Sequence, residues 1–127
     1  GMPKQVGTHS TVFEHFAVMF EDDGETGYFY ALDMRQNAQP IVDMLHVYNV
    51  DSTSNHHEAR KLEICLDESG YLALLLINGY PHAVFDFARL VGYNSNKYPQ
   101  PDLMSMWTRE EITDKQAEQW LGVKTIR

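Results

Sequence analysis

The sequence predicts an α+β fold, in which a single antiparallel sheet of five or six strands carries a short helix at its C-terminal end. Two hairpin patterns, over residues 12–34 and 71–87, predict most of the sheet. A capped apolar stripe near the C-terminus predicts the helix. The chain has 127 residues, of which 43% are hydrophobic and 22% charged, so its composition is typical of one globular domain.

The first hairpin is predicted from two strands that flank a turn containing glycine. Residues 12–20 alternate like a strand and carry apolar side chains on both faces, which is typical of a strand covered on both sides. Residues 21–27 contain Gly24 and Gly27, which tolerate positive φ and therefore favour a turn. Residues 28–34 are rich in aromatic side chains and predict the returning strand.

The second hairpin is predicted by Asn78-Gly79, because this dipeptide is the strongest short signal for a two-residue type I′ turn. Residues 71–77 are apolar on both faces, which favours the centre of the sheet. Residues 80–87 return as the partner strand, and Pro81 lies near its beginning, where a missing N–H donor is tolerated. A further strand is predicted over residues 62–66, and the order of the strands stays open.

Three segments are predicted less uniquely. Pro40 favours a short helical turn after it, whereas residues 41–50 also fit a strand, so both interpretations stay open. Residues 92–102 contain two prolines and predict an irregular, ordered crossing. Either Thr108 or Thr113 can cap the C-terminal helix. The apolar stripe of that helix is Ile112, Ala117, Trp120 and Leu121, and Gly122 is predicted to end it.

The chain is predicted to divide into a loose N-terminal arm, residues 1–10, and one α+β domain, residues 11–127. Gly1 ahead of the methionine resembles a residue left by tag removal. No apolar run approaches the roughly 18 residues that a membrane helix needs, and no signal-peptide core is present. The single cysteine, Cys65, has no intramolecular disulfide partner. A cytoplasmic location away from membranes is therefore expected.

The charge is strongly acidic and unevenly distributed. Eighteen acidic and ten basic residues give a net charge of −8. Residues 1–58 hold nine acids and two bases, a balance of −7, and residues 59–127 hold nine acids and eight bases, a balance of −1. Nucleic acid is not an expected partner, because such binders present a basic face to the phosphates. An acidic loop steers basic partners, and the candidate partner-binding residues are Glu21, Asp22, Asp23 and Glu25.

The sequence contains no recognisable motif for a metal, a cofactor or a nucleophile. Six histidines lack ligand spacing, and no His-x-x-x-His or Cys-x-x-Cys pair occurs, so neither a metal nor a cofactor is predicted. The acidic loop is too short and differently spaced for an EF-hand. Cys65 lies between apolar residues of a predicted strand, which favours packing over reactivity. No catalytic residue is assigned, and whether the chain is an enzyme stays open.

Aromatic and ionisable side chains on two predicted strands suggest an alternative function. Tyr28 and Tyr30 alternate on one strand, and His82 and Asp86 share one face of another. A carboxylate beside a histidine can orient the ring as a base. If all four side chains converge, they line a pocket for a small ligand or a substrate.

Three stretches together resemble a known family of short bacterial proteins. They are FEDDGETGYFYA at residues 20–31, INGYPHAVFDF at residues 77–87, and Gly92-Tyr93 followed by Tyr98-Pro99. The similarity covers roughly residues 12–107, and the hairpin segment is its most specific part. The family has no assigned reaction, cofactor or catalytic residues. The resemblance therefore implies a bacterial origin and a single domain, and it assigns no site.

These observations favour a small acidic binding module that associates with a protein partner through the acidic loop. Neutralisation of a basic toxin is one form of this hypothesis, because acidic net charge and small size fit the masking of a basic protein. Self-association through an aromatic sheet face or an edge strand gives a homodimer and is compatible with it. The alternative is the ligand or substrate pocket of Tyr28, Tyr30, His82 and Asp86.

Overall fold

The described residues form a β-sandwich with one helix outside it. The computed structural model describes residues 4–9, 15–36, 38–49 and 61–126. The first sheet has four strands in the order β1-β2-β3-β4, namely Lys4–His9, Phe16–Asp22, Thr26–Asp33 and Ile41–Asn49. The second sheet has five strands in the order β5-β6-β7-β8-β9, namely Leu62–Leu66, Leu72–Ile77, Tyr80–Asp86, Val91–Asn94 and Thr108–Glu111, and helix α1, Asp114–Ile126, follows.

The main core lies between the two sheets. From the first sheet, Phe20, Phe29 and Leu45 are fully buried, and from the second sheet Leu75 and Phe85 meet them. The rings of Phe29 and Phe85 stack across the interface with their centroids 5.1 Å apart. Since alternate residues of a strand point to opposite faces, each of these strands presents every second side chain to this core.

The helix covers the outer face of the second sheet. Leu74, Leu76 and Val84 point away from the main core and pack against Trp120 of α1. Strand β6 therefore has one face in each core, and this explains why its sequence is apolar at every position. The prediction of a strand covered on both faces at the centre of a sheet is confirmed: β6 lies between β5 and β7.

Both predicted hairpins are present. β2 and β3 pair antiparallel around residues 23–25, and residues 12–14 of the first predicted strand lie outside the described residues. β6 and β7 pair around Asn78 and Gly79, whose φ angles of 52° and 82° are the two positive values that a type I′ turn requires. The strand predicted over residues 62–66 is β5.

The single predicted sheet is wrong, because the described strands form two sheets. Alternation shows which residues share a face, but it does not show whether two hairpins join edge to edge or stack face to face. The segment from Ile41 to Asn49, which the sequence left open, is strand β4. Residues 4–9, expected within a loose arm, form β1 and pair with β2.

Two details of the C-terminal region also differ from expectation. Thr108 begins β9, which pairs parallel to β8, so Thr113 is the cap of α1. The Gln116 N–H donates to Thr113 Oγ1 at 3.1 Å, as a helix cap requires. The helix does not end at Gly122 but continues to Ile126. Within the described residues, no helix has both the length and the apolar character needed to cross a bilayer.

Candidate functional site

An open groove of about 900 Å³ lies between the two sheets at one end of the sandwich. We call this region the groove end. The first sheet contributes the start of β2 at Phe16 and the start of β4 at Ile41. The second sheet contributes Leu90, between β7 and β8, and the chain from Pro99 to Trp107 that leads into β9.

Three aromatic rings pack along the groove. Phe16 and Phe87 stack with their centroids 4.6 Å apart, which joins the two sheets. Trp107 stands edge-on to Phe87 at 5.5 Å and is buried. The guanidinium of Arg35 lies 5.5 Å above the ring of Phe16, while it also pairs with Asp33 at 2.7 Å. These packed rings give the groove a rigid apolar wall.

A tight turn forms one rim of the groove. The Ser105 N–H donates to the carbonyl of Asp102 at 3.0 Å, and the Trp107 N–H donates to Ser105 Oγ at 3.0 Å. Aspartate commonly occupies the first position of such a turn. The two central residues, Leu103 and Met104, point outward with 102% and 93% of their surface exposed, and Met106 is 78% exposed. We call Leu103, Met104 and Met106 the lip.

Exposed apolar side chains are concentrated at the groove end. Seven large hydrophobic residues are exposed in the described part of the chain, and five of them lie here. Besides the three residues of the lip, Met34 and Ile41 lie at this end: Met34 follows Asp33 at the end of β3, and Ile41 begins β4. An exposed apolar patch of this kind marks an interaction surface more often than a scattered residue does.

A buried ion pair holds the two sheets together beneath the groove. Arg109 of β9 donates to both carboxylate oxygens of Asp43 of β4, at 2.6 Å and 2.9 Å. The two side chains are only 2% and 4% exposed. Arg109 also donates to the carbonyl of Pro99 at 2.7 Å and 3.0 Å. The pair therefore fixes both sheets and the chain that leads to the lip.

Gly92 leaves the space that this ion pair occupies. A Cβ at this position would lie 3.0 Å from Asp43 Oδ2 and closer still to a terminal nitrogen of Arg109. Such separations are shorter than real Cβ contacts, so any side chain at Gly92 displaces the pair. Position 92 requires glycine because the ion pair approaches its backbone closely, and not because its φ angle is positive.

Asn94 anchors the loop that follows β8. Its Nδ2 donates to the carbonyls of His46 and Tyr98 at 2.9 Å and 2.8 Å, and its Oδ1 accepts from the Lys97 N–H at 2.7 Å. The His46 N–H donates to the Tyr98 carbonyl at 2.9 Å, so the loop also covers part of the β4 edge. The crossing predicted over residues 92–102 is thus ordered, and it begins as β8.

The acidic loop lies at the opposite end of the first sheet. Phe16 pairs with Asp33 at the groove end and Asp22 pairs with Gly27 at the other, which is a strand length of about 20 Å. Asp22 accepts from Tyr48 Oη at 2.6 Å and from the Gly24 N–H at 2.8 Å.

The carboxylate of Asp23 is also engaged within this loop. Its Oδ1 accepts from the Glu25 and Thr26 N–H groups, at 2.9 Å each. These donors, with Thr26 the larger contributor, hold the pKa of the Asp23 carboxyl below its usual value. Asp23 and Glu25 are exposed, and Glu21 and Asp22 are half-buried. We call residues 21–25 the acidic turn.

The structure does not bring the four predicted pocket residues together. Phe29 and Ala31 face the main core, so Tyr28 and Tyr30 lie on the outer face of the first sheet, with ring centroids 6.3 Å apart. Burial raises the pKa of both phenols. Val84 faces the helix, and Asp86, two residues on, shares that outer face of the second sheet. The whole sandwich therefore separates the tyrosines from Asp86.

His82 and Asp86 also do not pair with each other. Four residues along a strand span about 13 Å. His82 Nδ1 donates to the Tyr80 carbonyl at 2.9 Å. Asp86 accepts from the Ala88 and Arg89 N–H groups at 3.0 Å and 3.1 Å, so it caps the turn after β7. The pocket expected from these residues is therefore not formed.

No group of three or more histidine, cysteine, aspartate or glutamate side chains is placed to hold a metal ion within residues 4–9, 15–36, 38–49 and 61–126. Within the part of the chain that the structure describes, the acidic and basic residues that line the groove are Asp33, Arg35, Asp43, Asp102 and Arg109. Two of the acids are already paired with the two arginines. The groove is therefore suited to apolar contact rather than to ion binding.

Sequence reasoning missed the groove end. Leu103, Met104 and Met106 follow Pro101 without strand or helix periodicity, and three large apolar residues in such a segment are the one available signal. Asp43 and Arg109 lie 66 positions apart, and no local pattern relates them.

The fold and the groove define this protein as a two-sheet β-sandwich with a covering helix and an open, apolar cleft between its sheets. The chain belongs to a family described as an uncharacterised protein conserved in bacteria, DUF2251, which matches residues 1–121. The resemblance to an uncharacterised bacterial family is thereby confirmed.

A curated relative from Haemophilus influenzae, itself described as an uncharacterised protein, is 97% identical over 127 residues. The alignment covers all of this chain and 79% of that protein. No solved structure matches the chain.

Proposed function

We propose that this chain is a protein-binding module whose binding surface is the groove end. The observation that carries the proposal is the concentration there of five of the seven exposed large apolar side chains among the described residues. The partner contributes apolar side chains that enter the groove against Phe16, Phe87 and Trp107. Met104 and Met106 adapt to the partner surface, because methionine is flexible and polarizable.

The lip has no evident part in folding. Leu103 and Met104 are almost wholly exposed, and the turn that carries them is held by the backbone and by Ser105 Oγ rather than by their side chains. An apolar side chain that stays in water contributes little to the stability of the monomer. Burial against a partner would gain about 1.5–3 kcal/mol for each such side chain before the costs of association.

A peptide library displayed on phage and panned on the immobilised chain tests this proposal. We expect the selected peptides to carry leucine, isoleucine, methionine or phenylalanine anchors. Their affinity, measured by fluorescence anisotropy, should fall at least tenfold for a lip variant with Leu103→Ser, Met104→Ser and Met106→Ser. The control Glu25→Lys, at the other end of the sheet, should change it less than twofold. Equal binding to the lip variant would contradict the proposal.

A second candidate surface, the acidic turn, is favoured by charge. The groove lining carries three acids and two bases, a net of −1, so −7 of the total −8 lies elsewhere in the chain. The exposed carboxylates of Asp23 and Glu25 can steer a basic protein, and masking of a basic toxin is one such role.

The test of this second surface uses Glu25→Lys rather than a change at Asp22 or Asp23. Both aspartates hold the turn by hydrogen bonds, whereas Glu25 is exposed and its side chain faces solvent. We expect an oligolysine peptide to bind at low salt, to bind at least threefold more weakly to Glu25→Lys, and to dissociate in 0.5 M salt. Affinity that is insensitive to both changes would remove this candidate.

A further inference from the structure

We infer that the partner at the groove end is a second copy of this chain, and that two copies dock with the lip of each in the groove of the other. This inference rests on the proposed function, because it names the occupant of the same surface. A two-fold contact requires a surface that complements itself. If residue i of the first copy contacts residue j of the second, then residue j of the first copy also contacts residue i of the second.

The shape of the groove end meets that requirement. A recess of about 900 Å³ and a protruding turn lie side by side on the same surface, since Met104 and Met106 both line the groove and are largely exposed. A two-fold axis beside the lip therefore sets each protrusion opposite a recess. Methionine fills irregular gaps, so the lip can pack against the rings of Phe87 and Trp107.

The distribution of charge also favours self-association at this end. Each copy carries −8, and only −1 of it lies in the groove lining. Two copies that meet at the groove ends thus bring weakly charged surfaces together, and the acidic turns point away from the contact. Approach through the ends that carry the acidic turns brings exposed carboxylates of the two copies together instead.

The apolar area available predicts a weak dimer. Burial of one leucine or methionine side chain removes roughly 60–120 Å² of apolar surface from water, so the six lip side chains remove roughly 350–700 Å². The groove walls that they cover contribute a similar area. The total lies close to the roughly 1,000 Å² above which contacts become specific. We therefore expect a dissociation constant in the micromolar range.

Sedimentation velocity between about 1 and 500 µM tests the inference. The wild-type chain should pass from monomer to dimer over this range. Met104→Lys and Met104→Glu should each raise the dissociation constant at least tenfold, because both variants bury an unpaired charge in the dimer contact. Tyr80→Lys, an exposed position beside helix α1, is the control and should leave it unchanged. A chain that stays monomeric at 500 µM overturns the inference.

Cysteine pairing shows whether the expected surfaces meet. In a Cys65→Ser background, a Met104→Cys chain is mixed with a Val42→Cys chain of different mass tag, because Val42 lines the groove and packs against the main core. Oxidation should join position 104 of one chain to position 42 of the other. A Met19→Cys chain should not be captured, since Met19 lies on the outer face of the first sheet. A dimer without the 104–42 link overturns the inference.

The two proposals fail separately. If the chain stays monomeric but the lip variant loses the selected peptides, the groove end binds another protein. In that case only the inference that the partner is a second copy is wrong. If the lip variant keeps the peptides and the wild type stays monomeric, the groove end is not the binding surface and both proposals are wrong.

Discussion

The two ends of the first sheet differ in what their exposed side chains do. At the acidic turn, the carboxylates of Asp22 and Asp23 accept hydrogen bonds from the turn and from Tyr48. At the groove end, Leu103 and Met104 extend into solvent on a turn that their side chains do not hold. The carboxylates of Asp22 and Asp23 thus have a structural explanation, whereas the exposed apolar side chains of the lip have none among the contacts of the described residues.

This difference shows where function is to be sought in a fold without a motif. Polar side chains that accept hydrogen bonds from the backbone of their own turn stabilise the fold, and this role explains their presence. Exposed apolar side chains cost a monomer little stability. Their concentration beside a groove with aromatic walls is nevertheless unusual, and it is typical of a surface that binds a partner. Variants at the buried ion pair, at two glycines, at the acidic turn and at the lip, ordered by the size of the expected effect, test this contrast.

The largest effect is expected at the buried ion pair under the groove. Asp43→Ala leaves Arg109 charged, buried and without its carboxylate, so the free energy of unfolding should fall by about 3–5 kcal/mol. Urea unfolding followed by tryptophan fluorescence measures it, since Trp107 lines the same groove.

The matched control for the ion pair replaces both partners. Asp43→Leu with Arg109→Met removes both charges and should be less destabilising than Asp43→Ala alone, because no buried charge is left uncompensated. If Asp43→Ala cost less than about 1 kcal/mol, the ion pair would not be what joins the sheets at the groove end.

Two glycine variants should change stability in opposite directions. Gly92→Ala pushes a methyl group into the Asp43–Arg109 pair and should cost about 1–3 kcal/mol. Gly122→Ala meets no atom within 4 Å inside helix α1, so the higher helix propensity of alanine should stabilise the chain by about 0.5–1 kcal/mol. Thermal unfolding of both variants compares them, and equal shifts of the two midpoints would contradict the crowding at Gly92.

A smaller loss is expected at the acidic turn. Tyr48→Phe removes the 2.6 Å hydrogen bond to Asp22, and the free energy of unfolding should fall by about 1–1.5 kcal/mol. Urea unfolding at pH 7 checks this value. An unchanged free energy would mean that the turn is held without the Tyr48 hydroxyl.

The pH dependence of stability reports on the same turn. The pKa of Asp23 is lowered on folding, so its contribution is present above the unfolded value near 3.8 and is lost as pH falls through the folded pKa. The stability of the wild type should therefore decline relative to Asp23→Asn below about pH 3.8. Parallel curves for the two proteins from pH 5 to pH 2 would show that Asp23 does not hold the turn.

The smallest effect on stability is expected at the lip. Leu103→Ser, Met104→Ser and Met106→Ser together should change the free energy of unfolding of the monomer by less than about 0.5 kcal/mol, because these side chains are exposed. Urea unfolding at 1 µM protein, where little dimer forms, makes this comparison. A loss above 1 kcal/mol would mean that the lip packs on its own groove.

Local signals predicted the hairpins and the C-terminal helix, with Thr113 as one of two candidate caps, but not the sandwich. Asn78 and Gly79 specify a turn by their own backbone preferences, and Thr113 specifies a cap by its hydroxyl. The stacking of two sheets depends on contacts such as Phe29 with Phe85, which lie far apart in the chain. Strand β9 was missed because it has the sequence Thr-Arg-Glu-Glu, without an apolar alternation, and it pairs parallel to β8.

The candidate site was less predictable than the fold. The sequence pointed to charged and aromatic residues, because these residue types commonly take part in binding and catalysis. In the structure, however, the whole sandwich separates Tyr28 from Asp86. The groove arises only where the ends of β2 and β4 meet the chain before β9. A site assembled from such distant segments has no local pattern, so its position follows from the tertiary fold alone.

Methionine methyl NMR tests most directly the claim that the groove end is the binding surface. Met104 and Met106 belong to the lip, whereas Met19 and Met44 flank Tyr30 on the outer face of the first sheet. Spectra recorded from 10 to 500 µM protein, and with a selected peptide, should show shifts or broadening of Met104 and Met106 while Met19 stays unchanged. A response at Met19, with the groove-end methyl groups unmoved, would contradict the account.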